Sequence, residues 1–187
     1  MHRRNNKGFT LIEVAVTITV LAISLSVVMG SMSSIYSRRM QTCAVDINTM
    51  IAKCRVNTVS RSSEAWLRIE ENADGITVVY GEGDEDVEVV LAGKSMLRGS
   101  FVDSLGGTHE LDTEELYIAF ERGTGKMKTV AAAAAISGED TTIPGYVTEI
   151  IISCAGDSRT ITLVPETGKH FLALTMSEAG YTGEDDI

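Results

Sequence analysis

Residues 9–30 read FTLIEVAVTITVLAISLSVVMG and carry one charge, that of Glu13. The stretch has no Lys, Arg, Asn, Gln or Pro. Its length as a helix is about 33 Å, enough for a hydrocarbon core of about 30 Å. Charge is arranged around it in blocks. Residues 1–8 hold Arg3, Arg4 and Lys7 and no acid, residues 31–61 sum to +4, and residues 62–187 sum to −16. A basic start before an apolar helix places the N-terminus on the cytoplasmic side, with the acidic body outside.

The remaining composition narrows the class. The chain has 187 residues, 44% hydrophobic and 22% charged, which are globular values. Two prolines exclude a Pro-rich rod, and the net charge of −10 argues against direct nucleic-acid binding. Three cysteines exclude a pure disulfide framework.

Three readings of 9–30 compete. A secretory signal peptide needs a small-residue cleavage site, and VVMGSMSS offers a poor one. A plain signal anchor, holding a binding or sensor module that does not polymerise, is the second. Neither accounts for Glu13, because a carboxylate inside a membrane helix costs about 2.5–3.5 kcal/mol and is usually paired and functional.

The third reading does. Gly8-Phe9-Thr10-Leu11-Ile12-Glu13-Val14 resembles the cleavage site of type IV prepilins and type II secretion pseudopilins. The resemblance implies that residues 1–8 are a leader, that a prepilin peptidase cuts between Gly8 and Phe9, and that Phe9 becomes N-methylphenylalanine. Glu13 then stands fifth in the mature chain and, with the Phe9 amine, is the implied assembly device. Glycine before the cut leaves the backbone open to a protease. An ammonium and a carboxylate, each costly in an apolar core, become tolerable as a pair.

Residues 31–62 continue as an amphipathic stem helix. Met32, Ile35, Tyr36, Met40, Cys43, Ile47, Met50, Ile51 and Cys54 recur at steps of three or four. With 9–30 this predicts one helix of about 75 Å, weakened near Gly30. Residues 63–187 shift towards alternation. Predicted strands are 66–69, 76–80, 87–91, 116–120, 127–130, 147–153, 160–164 and 171–174, in an antiparallel sheet or small sandwich whose edges the stem could cover. The run Val130–Ile136 fits a buried strand or a short helix equally. The fold class is therefore α+β: a long N-terminal helix packed on a β-rich body.

The two turns Thr167-Gly168-Lys169 and Gly123-Thr124-Gly125-Lys126 lie in comparable hairpins. They are similar to turns of H-class minor pseudopilins and FimT-type minor pilins, which implies a minor or priming subunit. A competence pseudopilin belongs to the same family. Implied partners are other pilin or pseudopilin subunits, the prepilin peptidase, the inner-membrane assembly machinery and, before extraction, the lipid bilayer.

Other motifs favour plain structural readings. No HExxH, GxSxG, Walker or GxGxxG pattern is present, so no enzyme, cofactor or catalytic set is expected. The run Glu82–Glu88 holds five carboxylates without calcium-loop spacing and reads as a solvated hairpin, with no metal expected. Cys43 and Cys54, about 16 Å apart by rise, cannot bridge each other. Either could pair with Cys154, Cys54 being better placed; two buried free thiols and one surface thiol is the alternative.

Overall fold

The computed structural model describes residues 10–61, 64–83, 85–94 and 96–173, and for 27–33 the backbone alone. The leader 1–8, Phe9, Asp84 and the acidic tail lie outside the described residues. Helix α1 (Leu11–Ser60) is assigned without a break through Gly30. The chain divides into two units, residues 1–37 and 38–187.

In the first unit, the described side chains from Thr10 to Ser26 are exposed, Leu11, Ile12, Leu21 and Ile23 among them. Thr17, Thr19, Ser24 and Ser26 return their hydroxyls to carbonyls of the preceding turn, which removes four polar groups from an apolar surface. Among the described residues no helix is long and apolar enough to cross a membrane. Phe9 and the side chains of 27–30, which complete the sequence segment, are not among them.

In the second unit, residues 38–60 of α1 carry a buried stripe: Met40, Cys43, Ala44, Ile47, Met50, Ile51 and Cys54. Each large side chain in it contributes about 1.5–3 kcal/mol by leaving water. The stripe serves a four-stranded antiparallel sheet, β3-β2-β1-β6, built from β1 (Ala65–Asn72), β2 (Gly75–Glu82), β3 (Glu85–Leu91) and β6 (Leu116–Ala119). Leu67, Ile69, Val78, Tyr80, Leu116 and Ile118 are all buried there. From α1, Asn57 donates to the Tyr80 hydroxyl at 2.8 Å, while Lys53 pairs with Glu88 and sits over the Tyr80 ring. These contacts reach the face of the sheet. The β3 edge is blunted instead by its own carboxylates and a bulge at Tyr80/Gly81.

The second sheet runs β5-β4-β7-β8-β9, with β4 (Arg98–Asp103), β5 (Thr108–Glu110), β7 (Val147–Cys154), β8 (Asp157–Val164) and β9 (Lys169–Ala173). Phe101, Ile150 and Ile161 pair across three strands and are fully buried. The sheets are stitched by Glu71. Its amide donates to the Leu111 carbonyl at 2.9 Å, its carboxylate accepts from the Gly99 amide at 2.9 Å, and Leu111 donates to Gly99 at 2.9 Å.

Among the described residues the body holds two antiparallel sheets, within the sheet-or-sandwich expectation, and two strand expectations need correction. Residues 127–130 form only an isolated bridge, Phe120 with Met127, before α2 (Val130–Ala134) begins. Thr129 caps α2, accepting from the Ala132 amide at 3.2 Å, and alanine's helix propensity settles the run as helix. Strands β4 and β5 were not predicted, because RGSFVD and THE have little apolar alternation.

Candidate functional site

The start of α1 is a capping box. The Glu13 amide donates to Thr10 Oγ1 at 3.3 Å, and Glu13 Oε2 accepts from the Thr10 amide and hydroxyl, both at 3.4 Å. Thr-x-x-Glu before an apolar run is the sequence signature of this arrangement, and the sequence reading above passed over it. Thr10 and Glu13 thus satisfy one orphan donor each at the helix start, the Glu13 amide and the Thr10 amide. The bonds are long for N–H···O, so the carboxylate keeps capacity for a second donor. Gly8 and Phe9, the expected processing pair, lie outside the described residues.

The two glycine turns meet. Gly125 and Gly168 both have positive φ, 66° and 63°, and a Cβ on Gly168 would fall 1.9 Å from the Gly125 carbonyl oxygen. The Met127 amide donates to Pro165 at 2.9 Å. Arg55 of α1 spans both turns, donating Nε to the Gly125 carbonyl at 3.3 Å and Nη2 to the Thr167 carbonyl at 3.0 Å. Sequence alone marked the turns; the arginine that joins them is 70 and 112 residues away. His170 follows them, its imidazole held below the usual range by burial.

A second polar cluster lies on β4 and β5. His109 Nε2 is 3.2 Å from Asp103 Oδ2, and its Nδ1 contacts Glu114. Its ring stacks on Phe101, centroids 4.9 Å apart at 18°. Buried Asp103 accepts the Leu105 and Gly107 amides at 2.8 Å each. The Gly107 amide, followed by His109 and the Leu105 amide, holds the Asp103 carboxyl below its usual range despite burial. Burial pushes His109 down, but the hydrogen bonds and charges of Asp103 and Glu114 outweigh it, so its pKa is raised.

Cys43, Cys54 and Cys154 are all free and all buried, so the Cys54–Cys154 bridge drawn from the sequence is not formed here and no surface thiol exists among them. Burial pushes the Cys43 and Cys54 thiols up to about 12. The acidic run lies on the β2–β3 hairpin with Asp84 outside the described residues. Among the described residues no group of three His, Cys, Asp or Glu side chains is placed to hold a metal ion.

Comparison with curated proteins and with solved structures returns no match. Residues 3–29 match the family model described as the prokaryotic N-terminal methylation motif. The match takes in Gly8, Phe9, the Thr10–Glu13 cap and most of the apolar run, and it supports a processed protein of the pilin and pseudopilin kind. The chain carries the type IV prepilin-like signal at its N-terminus.

Proposed function

We propose that the protein is a structural subunit, minor or priming, of a type IV pilus or a type II secretion pseudopilus. The methylation motif at residues 3–29 is the observation that carries this reading. Residues 9–30 hold the chain in the cytoplasmic membrane with the body outside. The peptidase cuts at Gly8/Phe9, and the new Phe9 amine is methylated. During extraction into the filament, Glu13 accepts that amine from a neighbouring subunit. The Thr10 cap keeps the carboxylate partnered until then, which lowers its cost in the bilayer.

Mass spectrometry of the N-terminal peptide from native membranes tests the reading. A chain starting at Phe9 with one added methyl group supports it; a chain starting at Met1 leaves only an unprocessed anchor. A bulky residue in place of Gly8 blocks cleavage, whereas Gly8→Ala is partly processed.

A further inference from the structure

A cavity of about 290 Å³ lies in the second unit where α1 meets the segment joining β3 to β4. Helix α1 contributes Arg38, Arg39, Thr42 and Asp46, and the connection contributes Lys94 and Leu97. Three cations and one acid give it a local +2 in a body that sums to −16 beyond residue 61. The cations are not committed elsewhere. Among the described residues the Arg38 and Lys94 side chains have no hydrogen-bond or ion-pair partner, and Arg39 meets only the Met96 sulfur, at 3.0 Å. The wall behind them is apolar: Leu97 is buried, and Leu91 opens to solvent at the rim.

Arg38 follows Gly30, the end of the apolar run, by eight residues in the sequence. If 9–30 occupies the bilayer, basic side chains stand just beyond its far end, the reverse of the usual bias towards cytoplasmic Lys and Arg. A guanidinium fork suits a phosphate diester, a lysine adds a point charge, and apolar side chains suit the glycerol and first methylenes beside it. The acidic remainder repels an anionic surface, but screening confines that repulsion to about 8–10 Å.

We propose that this cavity binds the phosphate of an anionic phospholipid headgroup, with Arg38, Arg39 and Lys94 as the cations that hold it. The proposal rests on the membrane-inserted subunit reading above. Its consequence is a subunit docked on the outer leaflet until extraction breaks the contact.

Native mass spectrometry of the full chain, purified in a neutral detergent from a host with a prepilin peptidase, provides the test. The probes are phosphatidylglycerol, phosphatidylcholine and inorganic phosphate. Phosphatidylglycerol is retained at least tenfold more than phosphatidylcholine. Each cation is worth about fivefold, the counterpart of about 1 kcal/mol, so Arg38→Gln with Lys94→Gln lowers retention about 25-fold. The two single variants, at exposed and unpartnered side chains, give the same reading if the double variant folds poorly. Lys126→Gln, on the distant glycine turn, leaves retention unchanged. Equal retention of the two lipids, indifference to the variants, or displacement by millimolar inorganic phosphate overturns the proposal, the last by making free phosphate the ligand. Intact mass in the same spectra reports loss of residues 1–8. A processed chain without lipid selectivity removes this inference and leaves the subunit reading; selectivity on an unprocessed chain does the reverse.

Discussion

Glu13 accepts from the Thr10 amide and hydroxyl, so it serves as the last member of a helix cap as well as the proposed partner of a neighbour's ammonium. The two duties separate by substitution. Thr10→Ala removes the cap and should cost the helix start about 1 kcal/mol, read as faster amide exchange at residues 11–14 in micelles. Glu13→Gln keeps a capping side chain and removes the charge. It should leave that exchange unchanged while reducing filament incorporation. Normal incorporation of Glu13→Gln would remove the charge-pair argument and leave Glu13 as a cap alone. At Gly168 the argument is steric: positive φ and the Gly125 carbonyl 1.9 Å from a built Cβ leave no room for a side chain. Gly168→Ala should lose about 1–3 kcal/mol in thermal unfolding. Both sites were legible as residue types. The Thr-x-x-Glu spacing is local and could have been read as a cap, but the collision at Gly168 joins positions 43 residues apart in the chain.

The β4–β5 hairpin is the element whose stability should follow pH. Protonated His109 can donate from both ring nitrogens, to Asp103 and to Glu114; the neutral ring has one donor and must release one carboxylate. Asp103 and Glu114 are the charged groups that act on His109. Because its folded pKa is raised, its contribution is fully present below the ordinary value of about 6.5 and is lost as pH rises through the higher folded value. Asp103, depressed, works oppositely: its contribution is present above the ordinary carboxylate range and is lost on acidification. Amide protection factors across residues 108–110, corrected for the intrinsic pH dependence of exchange, should therefore be highest between the two limits and fall as pH rises through the raised folded value of His109. Glu114→Gln should flatten the alkaline limb, and an unchanged limb would remove His109 from the explanation. None of this was visible in the sequence, where THE reads as a polar loop. Strand β5 exists because β4 supplies its partners, Ser100, Phe101 and Val102, not because its own residues alternate. The alanine run illustrates the converse, a segment of neutral pattern decided by its cap and by the Val130 amide bonding to the Gly145 carbonyl at 2.9 Å.

Across the second unit, Arg55 ties the C-terminal half of α1 to two turns of the body. Arg55→Met should lower stability by about 1–3 kcal/mol, seen as a drop of several degrees in Tm, since it leaves two carbonyls without a charged donor. The buried thiols give an independent gauge of the same packing. With pKa values of about 12, Cys43 and Cys54 should resist iodoacetamide at neutral pH in the folded chain and react once it is denatured. Rapid labelling of either in the native state would mean that the helix leaves the sheet. The apolar run, the amphipathic stem and, among the described residues, seven of the nine strands follow from the sequence alone, because each is written in neighbouring residues at a fixed period. The division into two sheets, the Glu71 stitch, the meeting of the glycine turns under Arg55, the His109 pair and the gathering of Arg38, Arg39 and Lys94 belong to the tertiary structure. Each joins groups far apart in the chain, and only the closing of the core decides which of them share a surface.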